Sequence, residues 1–242
     1  AYGRDLLVDA GRFAYTGETA DKFRPYAKGS EGHNLLLIDQ HGQKPGPTHA
    51  KSPLSDSHFQ LHKDFDYASN SMSDFIDLEG KAEHRRALFY VRGAFWVVVD
   101  QIKTDKPRQI EALWHWHPSC NIVKDNATVK TKNQSGNLAI VPVSSQKFDI
   151  TFIKGQEKPT IQGWYSREYN LYEPNTMSKY STTIQGNDTL VWLLLPSEKE
   201  TPTVKAKILA QNETEMSLEV KMKGKTWQLT IPYADSRGAS IK

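Results

Sequence analysis

Along most of the chain apolar and polar residues alternate with a period of two, as half-buried β-strands require. In 109–117 the residues Ile110, Ala112, Trp114 and Trp116 fall on one face. Glu111, Leu113, His115 and His117 fall on the other. The stretches 84–91 and 94–102, separated by Arg92 and Gly93, read as a hairpin with a glycine turn. Leu6–Val8 and Leu35–Ile38 are short apolar runs bounded by Gly, Asp and Asn, the form of buried strands. Further strands are predicted at 127–132, 137–143, 147–154, 189–195, 204–210, 215–222 and 225–232. Turn signals such as Lys106-Pro107 and Lys223-Gly224-Lys225 punctuate them. No segment of a dozen residues carries an amphipathic helical repeat. The pattern predicts an all-β chain: a large antiparallel β-sandwich over 1–196 with a small C-terminal β extension over 197–242. Two long stretches, Gly11–Gly32 and Gln40–Asp56, break the alternation and read as functional loops.

The formal charge of the 242 residues is +3, with Lys and Arg interspersed among Asp and Glu. No basic tract points to nucleic acid, and a mild positive excess is compatible with an anionic polymer. The single cysteine, Cys120, excludes an internal disulfide, so the fold rests on its core. No apolar run approaches the ~20 residues of a membrane span. The chain opens on Ala1-Tyr2-Gly3 almost inside a strand, with the look of a trimmed domain, so its start carries no information on export.

Four groups of residues share an order with one family. The run Gly3–Tyr15 contains Leu-Val-Asp-Ala-Gly followed by Arg-Phe-Ala-Tyr, and Phe23–Asn34 contains a tyrosine, six residues, then His-Asn. Downstream come His84–Val91 with Phe95–Asp100, and then Gly163–Tyr169 with Glu173-Pro174. Over residues 1–196 this order resembles the heparinase II/III lyases. The resemblance implies the C-terminal part of a periplasmic or secreted bacterial polysaccharide lyase. It also implies an N-terminal helical toroid domain and an upstream His-rich strand, neither of which is in this chain.

That family cleaves uronic-acid-containing polysaccharides by β-elimination, so its site must hold the uronate carboxylate, remove a weakly acidic C5 proton and protonate the leaving oxygen. The resemblance assigns Tyr26 as the acid/base, the plain alternative being a ring packed on its loop. Asp9 and His33 would bind one Zn²⁺, with a third ligand from the upstream segment; otherwise Asp9 caps the turn before Gly11 and His33 bonds backbone. Arg24, Arg12 and Lys28 share the loop and suit a uronate carboxylate, Arg24 first for its nearness to Tyr26, although each also reads as a solvated charge. His115 and His117 share a strand face, which invites a metal reading in which only Glu111 supplies a third donor; sheet-face histidines are the alternative. The rival function is a non-catalytic carbohydrate-binding or accessory β-sandwich, which would have no use for a tyrosine beside a metal-binding pair.

Overall fold

Where the alternation is strong, strands form. The computed structural model describes residues 1–46 and 55–242, so part of the Gln40–Asp56 stretch lies outside the described residues. In chain order the strands are β1 (Leu36–Ile38), β2 (Phe59–Leu61), β3 (Phe65–Met72), β4 (Ala82–Val91), β5 (Phe95–Thr104) and β6 (Arg108–His115). They continue with β7 (Ile122–Asp125), β8 (Thr128–Thr131), β9 (Asn137–Pro142), β10 (Asp149–Lys154), β11 (Trp164–Glu168) and β12 (Leu171–Pro174). The last six are β13 (Thr176–Ile184), β14 (Asp188–Ser197), β15 (Val204–Gln211), β16 (Glu215–Met222), β17 (Lys225–Pro232) and β18 (Ser240–Ile241).

An eight-stranded antiparallel sheet, β2-β3-β4-β5-β14-β9-β8-β7, forms the middle layer. Its two faces are distinguished by residue parity. On β5, Phe95, Val97 and Val99 join Met216, Leu218, Val220 and Ile231 of the back sheet β15-β16-β17-β18 in one core. The alternate residues Val98 and Ile102 join Ile110, Trp114, Tyr180 and Trp192 in a second core beneath the front sheet β1-β6-β13-β10. The all-β antiparallel expectation holds, and the C-terminal strands complete a third layer on a shared core. Such a middle sheet needs apolar residues on both faces, and β14 (Asp-Thr-Leu-Val-Trp-Leu-Leu-Leu-Pro-Ser) supplies them as a continuous run.

One charged side chain breaks that rule. Asp100 of β5 is fully buried, yet accepts from His84 Nε2 at 2.7 Å, from Arg86 Nε at 2.6 Å and Nη2 at 3.1 Å, and from Trp192 Nε1 at 3.0 Å. Burial pushes its carboxyl up, but the Arg86 guanidinium and the His84 hydrogen bond outweigh that and hold it well below the usual carboxylate range.

Three expectations need correction. The Gly11–Gly32 stretch is not irregular throughout: Glu18–Lys28 is an α-helix, α1, with Ala20, Phe23 and Tyr26 buried at spacings of three. Pro25 and the polar remainder obscure that stripe in the sequence. Leu6–Val8 makes only an isolated bridge, Leu7 to Trp116, because it runs past the end of β6. Strands β3 and β11–β13 were not predicted; their outward positions carry Asp, Ser, Asn and Lys, which dilute the alternation.

Candidate functional site

The site lies at the end of the front sheet where residues 6–10, α1 and the β11–β12 hairpin meet. The N-terminal segment runs beside β6: Val8 N–H donates to the His115 carbonyl at 2.9 Å, and His117 N–H to that of Leu6 at 2.9 Å. Ala10 then joins the two ends of the 11–32 segment, its N–H donating to Gly32 O at 3.1 Å. Its carbonyl accepts from Ser166 of the hairpin at 2.8 Å. At Gly11 the backbone turns through φ +84°, and a Cβ there would sit 2.0 Å from the Ser166 carbonyl, so no larger residue allows this approach.

Aromatic packing fixes the helix above this crossing. Phe13 stacks on Phe23 with centroids 4.7 Å apart, and Phe23 meets Trp164 at 5.3 Å and Tyr172 at 4.6 Å. Tyr26 belongs to the same cluster. It is only 6% exposed, and its hydroxyl donates to the Trp164 carbonyl at 3.2 Å. Burial raises its hydroxyl pKa above the ordinary value. Tyr26, assigned as the acid/base by the resemblance, is thus packed inward, because it shares the apolar stripe of α1 with Phe23.

After α1 the Gly29–Gly32 turn returns the chain, and the pairing expected of Asp9 and His33 is present: the His33 Nδ1 and Asp9 Oδ2 are hydrogen-bonded. Asp9 also accepts from Gly11 N–H at 3.1 Å. The hydrogen bond to Asp9 raises the His33 pKa against the opposing effect of its partial burial. Burial pushes the Asp9 carboxyl up, but the bonds from His33 and Gly11 leave it below its ordinary value. A carboxylate and an imidazole in contact are a chemically suitable half of a zinc site. Among the described residues no third His, Cys, Asp or Glu completes it.

His115 and His117 do not converge. The strand ends at His115, whose ring turns inward with its centroid 6.4 Å from that of Tyr26, while His117 lies against Tyr165 at 5.4 Å. His115 is fully buried and neither ring nitrogen has a hydrogen-bond partner; the Glu31 carbonyl approaches without closing one. Burial lowers its pKa to about 4. Sequence parity places His115 opposite Trp114, but only α1 and the N-terminal segment explain its burial.

Arg12, Arg24 and Lys28 line one cavity of about 740 Å³ together with Asp9 and Tyr15. Arg24 donates to the Tyr15 carbonyl at 2.9 Å, and Arg12 to the Tyr15 hydroxyl. None of the three cations is ion-paired with a carboxylate among the described residues. Tyr15 is 52% exposed and stacks on Tyr169 of the hairpin at 5.8 Å. It stands four residues after the Leu-Val-Asp-Ala-Gly run, at the end of the segment that carries the first part of the resemblance.

The titrations oppose one another. A histidine with a raised pKa adds stability that is complete below its unfolded value, about 6.5, and is lost as pH rises through the folded value. A carboxylate with a lowered pKa adds stability present above its unfolded value, about 3.9, and lost as pH falls through the folded one. The Asp9–His33 pair is thus strongest between about pH 4 and 6.5. His115 acts the other way, weakening the fold as pH falls below about 6.5. In chelator, the stability difference between the unaltered chain and His33→Gln should be largest near about pH 5 and shrink in mildly alkaline buffer. Denaturant melts across that range check this, and a gap widening with pH would contradict the pairing.

A family model described as heparinase II/III-like, C-terminal, matches residues 1–217. None of the curated proteins compared matches the chain. Among solved structures, the heparan sulfate lyase HepC from Pedobacter heparinus is similar at 17% identity and a TM-score of 0.78, over 96% of this chain and 35% of that one. A heparinase III is similar at 20% identity and a TM-score of 0.71, over 95% of this chain and 34% of that one. These likenesses bear on the fold. The chain spans about a third of the length of the solved structures it matches.

Proposed function

This chain belongs to the heparinase II/III-like, C-terminal family, and from that premise we propose that it is the β-part of a polysaccharide lyase acting on uronic-acid-containing polysaccharides by β-elimination. The observation that carries the reading is the cavity with three cations that, among the described residues, are free of carboxylate partners, beside an exposed tyrosine. Arg24, Arg12 and Lys28 would hold the uronate carboxylate, arginine with two parallel hydrogen bonds, and stabilise the charge that spreads onto it when C5 loses its proton. The electron pair released at C5 forms the C4–C5 double bond as the glycosidic oxygen leaves with a proton. Proton transfer falls to a tyrosine of the 11–32 segment. Accessibility favours Tyr15, whose hydroxyl oxygen already accepts from Arg12, over Tyr26, the residue assigned by the resemblance.

Asp9 and His33 would hold part of a Zn²⁺ site whose other ligands lie outside the pair; when bound, the ion would supply fixed positive charge at the root of the segment. The remaining wall of the cleft would come from a helical domain, in a periplasmic or secreted protein. Heparan sulfate, the substrate in the name of one similar structure, is the first polymer to try. The intact enzyme, incubated with a panel of uronate polymers and followed by the ultraviolet absorbance of the new double bond, should release unsaturated product from at least one. Binding without any such product would favour the accessory-module reading instead.

A further inference from the structure

The Asp9–His33 pair joins two segments that no strand ladder connects and that meet through the Ala10 N–H to Gly32 O bond, so a further constraint must fix the geometry of the pair. The residue following His33 does this with three bonds. Asn34 Nδ2 donates to the Val8 carbonyl at 3.0 Å, next to Asp9, and Asn34 Oδ1 accepts from the His115 backbone N–H at 2.7 Å. Its own carbonyl accepts from Arg86 Nη1. Arg86 is in turn held by Asp100, whose carboxylate is anchored by His84 and Trp192 in the middle sheet. One side chain thus spans the N-terminal segment and β6, and a buried carboxylate network in another layer locks its main chain. Glycine or alanine at 34 would keep the backbone and lose both cross-links.

We propose that Asn34, clamped through its carbonyl by Arg86, is the positioning residue that orients His33 toward Asp9. The inference rests on the proposed function only for the importance of that pair, not for its existence. The bonds of Asn34 go to main-chain atoms and to Arg86, not to the imidazole; it acts by fixing the backbone on either side of the pair, which sets how the His33 ring meets Asp9.

The test reads the ring itself. In the metal-free chain, at a fixed pH where His33 is neutral, the imidazole nitrogen shifts should report the Nδ1–H tautomer that Asp9 selects. His33→Gln assigns the signal. Asn34→Ala should return the ring to the mixed tautomers of a free imidazole, and Arg86→Lys should do so partially. Trp192→Phe removes a donor from Asp100 without touching Asn34; it should lower the Tm yet leave the tautomer unchanged. If Asn34→Ala does not fold, Arg86→Lys decides. A Nδ1–H signal that persists in both variants overturns the proposal, as does one lost equally in Trp192→Phe or absent from the unaltered chain. The readout is independent of turnover, so an intact enzyme that cleaves no uronate polymer would overturn the lyase reading and leave this one standing.

Discussion

Replacing Tyr15 by Phe in the intact enzyme should lower kcat by about 10²–10⁴-fold, the loss typical when a proton-transfer group is removed. KM should change little, because Arg12, Arg24 and Lys28 remain in the cavity wall. Tyr26→Phe provides the contrast. It removes the hydrogen bond to the Trp164 carbonyl and the longer one accepted from Trp164 N–H at 3.5 Å, together worth about 1 kcal/mol of stability, and should leave kcat within a few-fold of the unaltered enzyme. Steady-state kinetics on one polymer, with Tm measured alongside, separates the outcomes. If Tyr26→Phe abolished turnover while Tyr15→Phe did not, the acid/base would be the residue assigned by the resemblance. The 11–32 segment would then have to open on substrate binding to expose it.

The second large effect is on stability. Asp100→Ala should destabilise the chain by about 3–5 kcal/mol, since it strands the donors that Arg86 Nε and Nη2, His84 and Trp192 direct at this carboxylate inside the middle sheet. The penalty arises from the stranded partners more than from the lost pair, so Asp100→Asn, which keeps an acceptor oxygen, should cost less. Urea unfolding gives both values. A loss below ~1 kcal/mol for the alanine variant would mean that water reaches Arg86 and satisfies it.

The strands were legible where both neighbours of a residue were unambiguous in polarity, as in β5, β6 and β14. They were missed where outward-facing positions alternate weakly: β3 reads Phe-Asp-Tyr-Ala-Ser-Asn-Ser-Met, and only its first half shows the period. The helix was missed because a proline and a run of charges mask a three-residue stripe. That stripe, Ala20, Phe23 and Tyr26, held the information that Tyr26 faces inward. The meeting of Asp9 with His33 could not be read from spacing at all; it depends on the Gly29–Gly32 turn and on Ala10 bonding Gly32. Family resemblance conveyed the pairing because it summarises tertiary contacts that one sequence does not display. The Asn34–Arg86–Asp100 link was hidden for the same reason, since its members lie on three different elements.

The back sheet reaches the rest of the chain through the far face of the middle layer, by the shared core and by bonds such as Tyr67 Oη to Pro232 O at 2.7 Å and Gln101 Nε2 to Glu213 O at 3.2 Å. None of its residues belongs to the cluster that seats the helix and cavity. It therefore acts as ballast with no short mechanical route to the chemistry. The turn at Lys223-Gly224, on the outer rim of that sheet, is accordingly where a fluorophore, an affinity handle or a surface tether belongs.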